Sequence, residues 1–428
     1  MTNRPIAIDL FAGCGGMSLG LEAAGFDVAL AIEFDAIHSI VHHFNFPYCA
    51  TICRDISKIS SSEILETLRK SGYPAEVDLI AGGPPCQGFS HIGKRLIDDP
   101  RNSLVFEYLR IISEIKPKYF IFENVPGIAT GEHRQFLAEL VAEFEGIGYH
   151  VEKPIEILDA SDFGAPQKRK RLILLGSRSD VTFTAYPKKV YGKSDDRFND
   201  LFAHEVKPHA TIHEAISDLA IVDVFIGTDE GVPQEILDYT GYRKKYSFLP
   251  SDIFSKCHIR NNGKLIFGHV GSVHTQQSIA RFSDAQPGTI EPNSRFFKLS
   301  ESGLCNTLRA GTNSDRGAYT APRPIHYSKP RCISVREAAR LHTFPDWFQF
   351  HRTIWHGFRE IGNAVIPILA KELGDCVIDA LAIDASHLDR QNLKPVSAKM
   401  LNFNMSEASN FWGIADDVIP KRKRIACA

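Results

Sequence analysis

The sequence predicts an α/β protein built on a doubly wound, mostly parallel sheet, with a smaller, irregular segment inserted before the chain returns to it. Three observations predict this. Short, near-continuous apolar runs recur from residue 5 to about residue 180, and segments with helical spacing separate them. After about residue 185 the alternation stops. It resumes near residue 334. Strands buried on both faces need unbroken apolar runs. Strand–helix alternation gives an open sheet whose ligand crevice lies at the carboxyl ends of its strands.

Five runs read as strands: PIAIDLFA (5–12), DVALAIE (27–33), VDLIAGG (77–83), KYFIFENV (118–125) and RLILLGS (171–177). Between them MSLGLEAAGF, DAIHSIVHHF, SSEILETLRKSG, SLVFEYLRIISEIKP and RQFLAELVAEFEGIGY read as helices, several closing near Gly or Pro. These make a first part over residues 1–185. Residues 186–325 follow without a clear period. Within and just beyond them, 195–240 carries about nine excess negative charges and 241–331 about nine excess positive ones. A stretch of that length is expected to be a recognition module with a basic surface rather than a connector. Helical spacing returns in SVREAARLHTF (334–344) and IPILAKELGDCVIDALAI (366–383), so 326–385 is expected to rejoin the first part. From 386 to 428 the chain is polar and aperiodic and reads as a tail.

Composition bounds the function classes. A chain of 428 residues, 43% hydrophobic and 23% charged, is ordinary for a globular protein and too long for one small core. The formal net charge of -2 leaves no global basic field, so any nucleic-acid face must be local. Nine scattered cysteines without a zinc-type CxxC pair point to a reducing, cytoplasmic setting and no metal site. Cys49 and Cys53 are neighbours in sequence but read as packing residues. No apolar run approaches the roughly 20 residues of a membrane span, and the first residues lack a signal-peptide pattern.

Chemistry concentrates at the predicted strand ends. DLFAGCGG places Gly13, Gly15 and Gly16 between a strand and a helix, where backbone N–H groups can meet a negative group. Such a turn suits NAD, FAD or S-adenosylmethionine, or merely close packing of a helix. Glu33, ending the second strand, is placed for ribose hydroxyls. Asp55 would lie on the next loop. In GGPPCQGFS two prolines stiffen the chain before Cys86, which presents a thiol as a nucleophile requires. FENVPG leaves Glu123 and Asn124 at a strand end, where a carboxylate can give or take a proton. In QKRKRL alternation turns Gln167, Arg169 and Arg171 to one side, suited to an anion or a base edge.

In this order DLFAGCGG, GGPPCQGFS, ENV, QKRKR, SVREAARLHTFPD and IGNAVIP resemble the sequence blocks of the DNA (cytosine-5)-methyltransferases of bacterial restriction-modification systems. The resemblance spans about residues 6 to 380. It implies a Rossmann-like fold that uses S-adenosylmethionine, yields S-adenosylhomocysteine and needs no metal. It implies that Cys86 adds to cytosine C6, that Glu123 bonds N3 and the exocyclic amine, and that one of Arg169 and Arg171 meets the base while the other supports the site. The base would have to leave the stack to be reached. For the cofactor, the resemblance implies Phe11 against adenine, Glu33 on ribose, Asp55 and Ile56 at the adenine edge, and further contacts from Pro84, Leu104, Asn363 and Ala364. One departure is local: Ile366 stands before Pro367, where many relatives place the proline directly after GNAV.

The resemblance makes 186–325 a target-recognition domain for duplex DNA and NTLRAGTNSDRG its closing loop. Gln87, Ser90, Arg243, Lys244, Lys245, Arg260, Thr307 and Arg309 are the expected DNA-binding residues, the basic ones through phosphates. A monomer on DNA and an independently acting cognate endonuclease are the expected partners. A nicotinamide oxidoreductase would leave the PCQ and ENV blocks without a task. A tRNA methyltransferase of the same family would typically carry a CFT segment, which does not occur. Intact Cys86, Glu123, Arg169 and Arg171 argue against an inactive DNA-binding relative.

Overall fold

The computed structural model describes residues 4–85, 103–131, 133–192, 206–237, 242, 265–311, 323–383 and 396–415. Eight strands form its main sheet: β1 Ile6–Leu10, β2 Asp27–Glu33, β3 Ala50–Cys53, β4 Leu79–Gly82, β5 Tyr119–Asn124, β6 Tyr149–Val151, β7 Glu156–Asp159 and β8 Lys170–Arg178. Their order is β3-β2-β1-β4-β5-β8-β6, with β7 also paired to β8. The five strands β3 to β5 along that order run parallel. Strand β8 runs antiparallel to β5, β6 and β7. Its amino end therefore lies at the carboxyl edge of the parallel strands.

All five expected strands form, and strands β1, β2, β4 and β5 are buried almost throughout. Their side chains alternate between two cores. Phe120 and Phe122 of β5 enter one face with Tyr108 and Phe144, while Tyr119 and Ile121 enter the other. The five expected helices also form: α1 Gly16–Ala24, α2 Ala36–Asn45, α3 Ser61–Lys70, α4 Ser103–Ile115 and α5 His133–Gly146. Asp35 caps α2 by accepting from the backbone N–H of Ile37 and His38.

Further along, α6 Ile212–Ile216 and α7 Gln276–Asp284 lie among irregular chain and short two-residue strand pairs. The returning segment supplies α8 Val335–Leu341, α9 Ile354–Asn363 and α10 Pro367–Leu381. Pro367 occupies the first turn of α10 with Ile366 as its cap, so the Ile–Pro departure begins a helix in an ordinary way. Gly20 of α1 lies directly against the Pro367 carbonyl and Ala370, which binds α10 closely to α1. Two buried arginines of α8 hold distant segments. Arg336 donates to the carbonyls of Phe267, Pro345 and Phe348, and Arg340 to Asp346, Asp218 and the Ala215 carbonyl.

The expectation of a tail from residue 386 needs correction. Residues 396–415 include a final helix, α11 Met405–Trp412, and pack on α2. Met400, Leu401, Ala408 and Ser409 are buried. Trp412 Nε1 donates to the Ala36 carbonyl at 3.2 Å, and Arg352 N donates to the Leu401 carbonyl at 3.0 Å. No described helix is long and apolar enough to cross a membrane.

Candidate active site

The ends of β1, β2, β3, β4 and β5 and the start of β8 converge on one cleft of about 710 Å³, within the usual range for small-molecule sites. Phe11, Gly13, Glu33, Asp55, Ile56, Pro84, Leu104, Glu123, Arg169, Arg171, Asn363 and Ala364 all line it. Sequence positions more than 350 residues apart thus meet at one sheet edge.

At one end Arg171 Nε lies 2.5 Å from Glu123 Oε1, with both side chains nearly buried. Glu123 faces Ile173 across the β5–β8 ladder, so Arg171 is its diagonal neighbour on the same face. The adjoining Asn124 Nδ2 donates to the Pro84 carbonyl at 3.1 Å, tying β5 to the PP segment. A side chain at Gly83 would meet Glu123 Oε2 at 2.6 Å, so glycine there admits the carboxylate beside the backbone.

Arg169 has a different place from Arg171. It is 3% exposed, and its guanidinium donates to the carbonyls of Leu308, Gly362 and Ala364 at 2.8, 2.9 and 3.0 Å. Burial, with the like charge of Arg171, draws its pKa down to about 9 against the opposing pull of Glu123. Gln167 is buried as well: its Oε1 accepts from Leu308 N, and its Nε2 lies against His342 and the Leu341 carbonyl. The common facing of the three residues leads to separate tasks. Gln167 and Arg169 lock loops, and Arg171 reaches the carboxylate.

At the other end Glu33 Oε2 accepts from Gly13 N at 2.7 Å, and Oε1 accepts from Phe34 N and Asp35 N. These bonds fix the carboxylate at the wall while its remaining lone pairs stay open to hydroxyls. Asp55 is held by Ser57 through its backbone N and hydroxyl. Phe11 adopts a φ of 60° as the chain leaves β1. Behind the wall, Asp9 accepts from Ser18 N and Oγ through Oδ2, while its buried Oδ1 has no hydrogen-bond partner among the described residues. Burial raises Asp9 to about pKa 7 despite the Ser18 bonds.

The glycine loop divides its work. Gly13 lines the cleft, but Gly15 and Gly16 do not. Gly15 abuts the Phe46 ring and Gly16 the Val365 carbonyl, so a side chain at either would disturb the close packing of α1 against its neighbours.

Cys86, Gln87, Ser90, Arg243, Lys244, Lys245 and Arg260 lie outside the described residues. Of the remaining expected DNA contacts, Thr307 Oγ1 donates to the Lys168 carbonyl at 2.7 Å, and Arg309 is exposed beside the cleft loop Ala310–Gly311. Cys14, Cys49, Cys53, Cys305 and Cys332 are buried, and burial raises each thiol, Cys53 and Cys332 to about 12. Those thiols are poor nucleophiles at neutral pH. Among the described residues no cluster of three His, Cys, Asp or Glu could hold a metal.

Sequence reasoning passed over Arg54, Asp35, Trp355 and Arg359, which also line the cleft. The signal for the last two was present in WHGFREIGN: Trp355, Arg359 and Asn363 recur at helical spacing on one face of α9.

A family model for C-5 cytosine-specific DNA methylase matches residues 6–378. The chain is 42% identical over 430 aligned residues to the Type II methyltransferase M.XorII of Xanthomonas oryzae pv. oryzae, covering 98% of this chain and 95% of that one. It is 33% identical to the Type II methyltransferase M.DdeI of Desulfomicrobium norvegicum, covering 86% and 87% of the two chains. A prophage-encoded E. coli chain described as a DNA modification methyltransferase superposes with a TM-score of 0.70 at 33% identity, over 89% of this chain and 100% of that one. The S. pombe Dnmt2 methyltransferase shares the fold at a TM-score of 0.54 and 18% identity, over 89% of this chain and 100% of that one. With a family match that runs from β1 into α10 and a relative 42% identical over nearly its whole length, the chain belongs to the C-5 cytosine-specific DNA methylases.

Proposed function

We propose that this DNA (cytosine-5)-methyltransferase methylates C5 of a flipped-out cytosine in a specific duplex sequence through a covalent Cys86–C6 adduct. The observation that carries the reading is the Glu123–Arg171 pair beside the Asn124–Pro84 tie, two residues before Cys86. A base admitted there would meet a carboxylate at its N3 edge and a guanidinium beside its oxygen.

The cleft suits S-adenosylmethionine. Phe11 offers an aromatic wall, Glu33 and Asp55 offer acceptors for ribose and adenine, and the Asp9 carboxyl backs a polar end. Pro84, Leu104, Asn363 and Ala364 complete the proposed contacts. Bound there, the cofactor supplies an electrophilic methyl group on a sulfonium.

The residues then act in sequence. The Cys86 thiolate adds to C6 and makes C5 of the ring nucleophilic. Glu123 bonds N3, which carries a proton as the adduct forms, and the exocyclic amine, stabilising the charge that develops, and Arg171 fixes Glu123 and meets the base oxygen. Arg169 keeps the 308–310 and 362–364 loops against the cleft. Once C5 carries the methyl group, a base takes the C5 proton and the Cys86 sulfur leaves as thiolate, and with release of the N3 proton the aromatic ring is restored. S-adenosylhomocysteine leaves as the other product.

Residues 186–325 would read the target, with phosphate contacts from Arg243, Lys244, Lys245 and Arg260. Gln87 and Ser90, beside the nucleophile, and Thr307 with Arg309 would face the DNA. A monomer acting in the cytoplasm would protect host sites from an independent cognate endonuclease, the role that the Type II relatives suggest.

Transfer of a tritiated methyl group from S-adenosylmethionine tests the reading. Label should appear as 5-methylcytosine in duplex DNA and not in tRNA. Label confined to tRNA, or on another base, overturns it.

A further inference from the structure

Four arginines line the cleft. Arg54 bonds Glu63, Arg169 bonds three carbonyls and Arg171 bonds Glu123. Arg359 is held differently. Its Nη2 stands 3.6 Å from Asp35 Oδ2, beyond hydrogen-bond length, and its guanidinium lies 5.2 Å from the centre of the Trp355 ring. Asp35 spends Oδ1 on capping α2. The Arg359 side chain keeps 20% exposure although its neighbours Phe358 and Glu360 are buried. Packing and a nearby charge thus hold a guanidinium at the cleft wall, its N–H groups without a hydrogen bond among the described residues.

Its position relative to the other proposed contacts indicates what it meets. Arg359 lies one helical turn before Asn363 on α9, and its partner Asp35 follows Glu33 by two residues. Asp35 N also donates to Glu33 Oε1, so Arg359 neighbours the segment of the proposed ribose carboxylate as well as the Asn363 turn of α9. Asp9, Glu33, Asp35, Asp55 and Glu123 give the cleft five carboxyl groups, so a negative ligand group needs a local cation. S-adenosylmethionine carries one such group, the α-carboxylate of its amino-acid portion, branching from the same sulfonium as the ribose. A planar guanidinium fork matches a carboxylate. We infer that Arg359, steadied by Trp355 and Asp35, binds this α-carboxylate. The inference rests on the reading that the cleft takes S-adenosylmethionine.

Calorimetry on the full chain with S-adenosylhomocysteine and with 5′-methylthioadenosine, which lacks the amino-acid portion, tests it. Arg359→Gln should weaken S-adenosylhomocysteine on the order of ten- to hundredfold. Methylthioadenosine should bind the variant within about twofold of the wild type, which also reports an intact cleft. Equal losses for both ligands, or no loss for either, overturn the inference. A comparison needing no variant is S-adenosylhomocysteine against its carboxamide on the wild-type chain. The amide should bind about tenfold or more weakly, and equal affinity overturns the inference. If the wild type binds neither nucleoside, the cofactor reading itself fails, and that outcome is distinct from a carboxylate-independent affinity.

Discussion

Arg171 Nε meets Glu123 Oε1 at 2.5 Å across two antiparallel strands, one ending and one beginning at the same sheet edge. The carboxylate proposed to meet the base is therefore held in a fixed orientation by the guanidinium. A buried pair of this kind is poor evidence for stability, because desolvation offsets much of the attraction. Its value lies in preorganisation of the site.

The pair should consequently behave as a unit in kinetics. Glu123→Gln is expected to lower kcat roughly 10²- to 10⁴-fold while leaving S-adenosylhomocysteine affinity nearly unchanged. Arg171→Ala should do similar damage, and the double variant little more than the worse single one. Single-turnover methyl transfer checks this. Strictly multiplicative effects would show that the two residues act independently.

Arg169 should declare itself in stability instead. Arg169→Met removes donors from the buried Leu308, Gly362 and Ala364 carbonyls and should lower unfolding free energy by roughly 3 kcal/mol. Arg171→Met should change it far less. Urea denaturation of the two variants separates the roles, and equal destabilisation would remove the distinction.

Asn124 should act through the loop that it holds. Loss of its bond to the Pro84 carbonyl in Asn124→Ala is expected to lower kcat at least tenfold through misplacement of the reacting groups. Cofactor affinity should stay within about twofold, since the other cofactor contacts remain. Rapid-quench kinetics with saturating cofactor provides the measurement. An unchanged kcat would detach the tie from catalysis.

Acid stability has an identifiable contributor in Glu337. Burial alone would raise its pKa, but the Arg331 guanidinium bonded to it, with His326 and His269 nearby, brings it down from 4.5 to about 2. A folded-state value below the unfolded one gives stability present above about pH 4.5 and lost as pH falls towards 2. Glu337→Gln should thus cost roughly 3 kcal/mol at neutral pH and flatten that part of the stability profile. Denaturation from pH 7 down to the acid limit reads both effects.

Much of this molecule was legible in its sequence because parallel strands buried on both faces leave unbroken apolar runs. Runs at β1, β2, β4, β5 and β8 show this. Strand β3, ATIC, escaped notice because it is four residues long and mostly half-exposed at the sheet edge. Strands β6 and β7 are similarly short and depend on β8 for pairing. Sheet topology also made the site legible, since Glu33, Gly82 and Asn124 end parallel strands.

What local pattern could not supply was long-range packing. Spacing put Arg169 and Arg171 on one side, but their different burial depends on carbonyls at Leu308 and Gly362, well over a hundred residues away. Trp355 and Arg359 share helical spacing, but that spacing alone does not say which face of α9 meets the cleft. The ordered segment around Leu401 buries too few apolar residues to leave a period.

If Cys86 attacks the base, duplex DNA with 5-fluorocytosine at the target should trap it in a covalent complex. Fluorine cannot leave as the C5 proton does, so the wild-type protein with S-adenosylmethionine should form an adduct that survives denaturation. Cys86→Ser should form none. A denaturation-resistant adduct with Cys86→Ser, or none with the wild type on DNA that it otherwise methylates, would contradict the account.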